Sequence, residues 1–126
     1  MTAKMFKLSW LLYRKNSIYN RLMNTIELFK ALSNEKRLQI LHWLKEPEKH
    51  FPKQQAHLPK EVHYKGGVCV GDIQEKVQAS QSTVSQYLAM MQRAGLLESI
   101  RYNQWTYYRR NEETIQKLAA YLDKEL

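Results

Sequence analysis

The chain has 126 residues, enough for one domain with a single modest core. Hydrophobic residues make up 44% and charged residues 25%, which indicates a globular rather than a disordered chain. The net charge of +8 favours an anionic partner such as DNA, RNA or a membrane surface. Cys69, the single cysteine, excludes an intramolecular disulfide and fits a cytoplasmic protein, and no apolar run is long enough to span a bilayer.

Residues 1–21 are treated as an N-terminal extension of unassigned role, because Lys15 interrupts their helical spacing of apolar residues. Three interpretations stay open: an extra helix that packs on a dimer, a basic amphipathic segment at a membrane surface, or sequence upstream of the functional domain. Met23 lies immediately before the first regular helical pattern and is therefore a candidate for the true start. The domain itself is predicted over 22–126.

Two helices are predicted at the beginning of this domain. Apolar residues at spacings of four and three predict the first helix over 22–32. Ser33 is expected to cap the second helix, because its hydroxyl can accept a hydrogen bond from a free backbone N–H. The inner stripe of the second helix is expected to consist of Leu38, Leu41 and Leu44, with Ile40 alongside.

An insert over about 46–67 interrupts the helical pattern, since it contains all three prolines and ends in Gly66-Gly67. A loop of this length is usually functional or disordered. The insert contains three histidines, and Cys69 lies two residues after its end. Together they are four possible zinc ligands: His50, His57, His63 and Cys69. Their spacings of seven, six and six match no compact site, so we expect solvated histidines and no metal.

The stretch from Gly71 to Leu97 predicts two short helices joined by a tight turn at Ala79-Ser80. Ser80 is expected to cap the second of these helices, and Gly95 to end it in a left-handed conformation. The apolar residues that are expected to face the core are Ile73 and Val77 in the first helix, and Val84, Leu88 and Met91 in the second.

The opposite face of the second helix is small, polar and uncharged at its N-terminal end. In a helix-turn-helix this part of the helix enters the major groove of DNA, where Gln and Ser can bond base edges. An ordinary polar face on a core-packing helix is the alternative. The candidate DNA-binding residues of this helix are Ser80, Gln81, Ser82, Thr83, Ser85, Gln86 and Tyr87.

Residues 96–110 predict a β-hairpin, because β-branched and aromatic residues surround a turn at Tyr102-Asn103-Gln104. The predicted fold class is therefore mainly α with a small β-hairpin, a winged helix-turn-helix. A basic hairpin beside a recognition helix can touch phosphates or the minor groove; a merely solvated hairpin is the alternative. The candidate DNA-binding residues of the wing are Arg101, Asn103, Gln104 and Arg109.

Asn111 is expected to cap a last helix whose apolar stripe has little of its own domain left to cover. We therefore expect the stripe to pair with a second copy of the chain, with intramolecular packing as the alternative. Its members are Ile115, Leu118, Ala119 and Leu122.

Cys69 precedes a helix N-terminus, where a thiol can have its pKa lowered and become a redox sensor. A buried and inert cysteine is the favoured interpretation. No nucleophile–base pair, paired carboxylates or phosphate-binding glycine loop is visible, so we expect neither an enzyme nor a cofactor. The leading hypothesis is a regulator that binds double-stranded DNA, and the alternative is a winged-helix module that binds protein or RNA.

Three segments resemble the ArsR/SmtB family of bacterial winged-helix repressors: LFKALSNEKRLQILHWL, VCVGDIQEKVQASQSTVSQYLAMMQRAGLL and IRYNQWTYYRRN. The resemblance implies a homodimer joined through its first and last helices, and operator binding that an unknown effector weakens. It does not carry over a metal site. Members that bind metal through Cys-Val-Cys-Asp have a second thiolate where this chain has Cys69-Val70-Gly71-Asp72, and 114–126 contains none of the histidines of the other known site.

Overall fold

The computed structural model describes residues 24–54 and 56–126, so the expectations for residues 1–21 and Met23 lie outside the described part of the chain. Helix α1 is described over 24–32. The elements that follow are α2 (Glu35–Lys45), α3 (Pro47–His50), a 3-10 turn (Lys60–Val62), β1 (Val68–Cys69), α4 (Val70–Val77), α5 (Gln81–Arg93), β2 (Leu97–Tyr102), β3 (Trp105–Arg110) and α6 (Glu112–Lys124).

A three-stranded antiparallel sheet has the strand order β1-β3-β2. Strands β2 and β3 form the predicted hairpin, in which Glu98 lies opposite Arg109 and Tyr102 opposite Trp105. Asn103 has a φ of 54° at the turn, a conformation that asparagine tolerates better than most residues. The mainly α fold with a winged helix-turn-helix is confirmed, and the short strand β1 adds a third strand to its hairpin.

The core lies where α2, α4 and α5 meet the sheet, and every apolar residue that we expected to be buried in α4 and α5 is buried. The expectation for Leu38 in α2 is wrong, since this side chain is 52% exposed. At roughly 100° per residue, Ile40, Leu41 and Leu44 cluster on one side of α2 and Leu38 falls outside that cluster. The helices α4 and α5 pack against the side of α2 that carries Ile40. Leu41 and Leu44 are therefore buried, and Leu38 is not.

The caps of the later helices are as predicted. The hydroxyl of Ser80 accepts a hydrogen bond from the backbone N–H of Thr83 at 3.2 Å, and the side-chain oxygen of Asn111 accepts one from Thr114 at 3.3 Å. Gly95 follows the end of α5 with a φ of 88°, as expected of a residue that ends a helix.

The predicted cap at Ser33 is wrong, because Asn34 caps α2 by accepting a hydrogen bond from the Arg37 N–H at 3.0 Å. The Ser33 hydroxyl instead donates to the Lys30 carbonyl at 2.9 Å and so helps to end α1. Serine and asparagine are about equally good N-caps, so two adjacent candidates could not be separated by residue type.

Part of the insert packs against the rest of the domain. Phe51, immediately after α3, is buried and meets the Trp43 ring edge-on, with ring centroids 6.4 Å apart. Lys76 of α4 donates to the His50 carbonyl at 2.8 Å, which ties this end of the insert to the helix-turn-helix. Within 24–54 and 56–126, no helix is both long enough and apolar enough to cross a membrane.

Candidate nucleic-acid interface

The N-terminal half of α5 presents an uncharged polar surface to solvent. Val84, Leu88 and Met91 are buried in the core and fix the rotation of the helix about its axis. This rotation leaves Gln81, Ser82, Ser85 and Gln86 exposed on the opposite side. Amide and hydroxyl groups placed in this way can exchange hydrogen bonds with base edges.

Two of the predicted DNA-binding residues, Ser80 and Thr83, form the N-terminal cap of α5. The Ser80 hydroxyl donates to the Thr83 hydroxyl at 2.8 Å while it accepts from the Thr83 backbone N–H. Ser82 lies close to the same cap, with its hydroxyl oxygen 3.3 Å from that of Ser80. The cap therefore positions the start of α5, and Ser85 and the two glutamines keep the side chains most available to a partner.

Tyr87 is half-buried and packs against the core cluster. The Arg37 guanidinium lies over its ring at 5.6 Å from the centroid. Arg37 also donates to the carbonyls of Ala31 at 2.8 Å and Lys30 at 3.1 Å, which lie in the last turn of α1. This arrangement links α1 and α2 to the outer side of α5 and makes Tyr87 a packing residue at the edge of the polar face.

The wing tip combines polar, basic and aromatic side chains. Arg101, Asn103 and Gln104 are all exposed, and the Arg101 side chain donates to the Asn103 carbonyl at 3.5 Å. Tyr102 and Trp105, directly opposite each other, are 36% and 37% exposed. Sequence reasoning missed these two aromatic residues, although their position on either side of a two-residue turn was a signal of exposure.

Arg109 is held within the protein. Its Nε lies 2.6 Å from Oε1 of Glu98, and its guanidinium lies 3.8 Å from the centroid of the Tyr64 ring. The neighbouring Arg110 is paired with Glu112 at 2.9 Å. Among the described basic residues of the hairpin, Arg101 is thus the one that is exposed and not paired with a carboxylate.

Cys69 is fully buried, and its thiol donates to a carboxylate oxygen of Asp72 at 3.2 Å. Burial raises the pKa of the Cys69 thiol, so the thiolate that oxidation requires is disfavoured. Burial raises this pKa more than the helix N-terminus lowers it, which disfavours the redox hypothesis. Within the described residues, no three side chains of the His, Cys, Asp or Glu type are grouped so that they could hold a metal ion.

Comparison with known proteins agrees with this geometry. The family model described as "Bacterial regulatory protein, arsR family" matches residues 65–99. The HTH-type transcriptional regulator YbzH of Bacillus subtilis (strain 168), itself described as uncharacterized, is 50% identical over 104 residues, which are 82% of this chain and 100% of YbzH.

Two solved structures show the same architecture. The homodimeric winged helix-turn-helix DNA-binding domain Mb0332 of Mycobacterium bovis is 25% identical with a TM-score of 0.58, covering 81% of this chain and 78% of that domain. An ArsR-like transcriptional regulator from Rhodococcus sp. RHA1, at 21% identity and a TM-score of 0.61, covers 83% and 81% and shares the fold. This chain belongs to the ArsR family of winged helix-turn-helix, DNA-binding transcriptional regulators.

Proposed function

We propose that this regulator acts in the cytoplasm as a homodimeric repressor that reads a two-fold symmetric operator with α5. The observation that carries the proposal is the exposed, uncharged polar face formed by Gln81, Ser85 and Gln86. Glutamine can bond adenine through both its amide oxygen and nitrogen, and serine can bond several bases. A face without charge loses less hydration when it enters the groove than a face of lysines and glutamates would.

The wing supports binding beside the recognition helix. Arg101 is exposed close to the tip and can contact a phosphate, while Asn103 and Gln104 can reach sugar or base edges. The exposed rings of Tyr102 and Trp105 provide apolar area that can lie against the deoxyribose edge of the minor groove. Because Arg109 is already paired, its part in the proposed interface is to hold the wing, and the phosphate contact is assigned to Arg101.

Dimerisation through the first and last helices is supported by apolar side chains that the monomer leaves exposed. Ile26 and Phe29 of α1 and Leu122 of α6 are 39–45% exposed, and Phe29 meets Tyr121 of α6 with ring centroids 6.4 Å apart. The Mb0332 domain is named as homodimeric. A two-fold dimer would place its two recognition helices in half-sites about 34–36 Å apart, one turn of DNA.

The test is selection of bound fragments by the full chain from a pool of random double-stranded DNA. We expect enrichment of a near-palindromic sequence whose half-sites are about 10–10.5 base pairs apart. Binding should weaken steeply with salt, since phosphate contacts release counterions. Failure to enrich any sequence, with RNA or protein retained instead, would favour the winged-helix interaction module.

The proposal requires no cofactor and no metal, because the proposed interface acts by binding alone. Screening metals, oxidants and metabolites for release of the selected fragment tests each of these classes as the effector.

A further inference from the structure

Tyr64, near the end of the insert, lies between two tight turns. His63 before it has a φ of 53°, and Gly66 after it has a φ of 81°. The backbone N–H of Gly67 donates to the Tyr64 carbonyl at 3.3 Å, which closes the second turn. Residues with left-handed backbone thus lie on both sides of Tyr64, and its ring lies against Arg109 of β3.

The Tyr64 ring is packed between the backbone of Gly67 and the wing. A β-carbon on Gly67 would lie 2.7 Å from Cδ2 of the ring, closer than a real contact allows, so this position needs glycine for the ring to approach. The other contact is with the guanidinium of Arg109, 3.8 Å from the ring centroid. Arg109 is in turn paired with Glu98 directly across the hairpin.

The phenol hydroxyl plays no visible part in this contact. It is buried and has no hydrogen-bond partner within the described residues. Burial raises the pKa of Tyr64 to about 12, so the group is neutral at physiological pH. The aromatic ring, and not the hydroxyl, is therefore what binds the arginine, through the attraction between a cation and a π-face.

The other end of the same segment is anchored on the helix-turn-helix. Phe51 is buried in the core. Lys76 of α4 donates to the His50 carbonyl at 2.8 Å, and its ammonium lies 5.1 Å from the Trp43 ring centroid and 5.6 Å from that of Phe51. The described residues 51–54 and 56–64, which we call the strap, thus lie between the first helix of the DNA-binding pair and the base of the wing.

We propose that the strap sets the orientation of the wing relative to α5, and that Tyr64 is its positioning residue, acting through Arg109. The base of the hairpin packs against α2, α4 and α5, and among the described residues its pairing with β1 covers two positions, Val68 with Tyr108 and Cys69 with Tyr107. The wing tip lies about four residues beyond Glu98, or about 13 Å, so a small rotation at the base displaces the tip. The effect on DNA rests on the proposed function, whereas the effect on the wing does not.

Three variants of the full chain separate the ring from the hydroxyl. Tyr64→Leu keeps apolar packing but removes the π-face, Tyr64→Phe keeps the π-face and removes the hydroxyl, and Gly67→Ala forces the ring from its seat. We expect amide hydrogen exchange to become faster in 98–110 for Tyr64→Leu and Gly67→Ala, and to be unchanged for Tyr64→Phe. Exchange in 112–124 serves as the internal control and should stay the same in all three.

The second measurement is binding and footprinting on the DNA fragment selected by the wild-type chain. Tyr64→Leu should weaken binding about tenfold, which corresponds to about 1.4 kcal/mol, and should lose protection where the wing contacts DNA while keeping it at the centre of each half-site. Tyr64→Phe should stay within about twofold of the wild type. Gly67→Ala in the Tyr64→Leu background should add little, because both changes remove one contact.

The outcomes of the two measurements are distinguishable. Unchanged exchange in 98–110 for Tyr64→Leu, or equal effects of Tyr64→Phe and Tyr64→Leu, overturns the role of the strap whatever the DNA result. If exchange in 98–110 becomes faster but the selection enriches no DNA, the role of the strap is supported and the proposed function is wrong. If Tyr64→Leu does not fold, Gly67→Ala carries the same test, with a thermal melt to confirm that it is folded.

Discussion

The assignment of base readout to α5 is tested most directly by Gln86→Ala. Gln86 is exposed, and no hydrogen bond holds its side chain among the described residues. The substitution should therefore change the free energy of unfolding by no more than about 0.5 kcal/mol. In the complex, a glutamine that bonds adenine through two hydrogen bonds contributes about 1–3 kcal/mol of discrimination per half-site. Both protomers of the proposed homodimer carry the substitution, so the total is about 2–6 kcal/mol, and we expect about a 30- to 20,000-fold loss of preference for the selected operator over a scrambled duplex.

The assay is competition between the operator and a scrambled duplex of equal length at one salt concentration, since affinities depend strongly on salt. Gln92→Ala is the matched control: Gln92 is also an exposed glutamine of α5, but it lies near the C-terminal end, away from the proposed groove contact. It should leave the ratio of affinities unchanged. Should Gln86→Ala weaken both duplexes equally, or should Gln92→Ala match it, the assignment of base readout to this face is wrong.

Four further outcomes are expected. Arg101→Ala should weaken all DNA alike and lower the salt slope by about one per protomer, as measured by titration at several salt concentrations; a selective loss of operator binding would contradict the phosphate assignment. Leu122→Asp should raise the dimer dissociation constant at least about tenfold in sedimentation equilibrium, because a carboxylate would replace a 45% exposed apolar side chain at the proposed interface; an unchanged constant would exclude α6 from it. Cys69 should react with a thiol reagent at pH 8 far more slowly in the folded protein than in denaturant, since burial raises its pKa; equal rates would revive the redox hypothesis. For Tyr64, a folded pKa of about 12 lies above the usual value of 10, so this contribution to stability is present below pH 10 and lost as the pH rises from 10 to 12; Tyr64→Phe should lose less stability than the wild type over that interval in denaturant melts.

The helix-turn-helix was predictable from sequence because its signals are local. The spacing of Val84, Leu88 and Met91 repeats at the helical period, and Ser80 stands at the start of α5, where a cap is needed. Each of these signals depends on residues within one or two helical turns. The error at Ser33 arose where two adjacent cap formers competed, and the error at Leu38 arose where the packing partner decided which flank of the helix is covered.

The wing shows the limit of the same reasoning. Arg109 is basic and lies in a hairpin, which made it a candidate phosphate contact. Its actual partners are Glu98, which cross-strand register places opposite it, and Tyr64, which is 45 positions away in sequence. A contact over that separation leaves no periodic signal, because turns at His63 and Gly66 determine where the ring points.

The sequence by itself determined the helices of the DNA-binding pair, the hairpin, the polar face of α5 and the family to which the chain belongs, because hydrophobic period, caps and turn residues act over a few positions. Tertiary structure alone decided which reactive and charged side chains are exposed to a partner. It buried Cys69 beside Asp72, engaged Arg109 within the wing and left Arg101 exposed, since burial and pairing depend on residues that the fold brings together from distant parts of the chain.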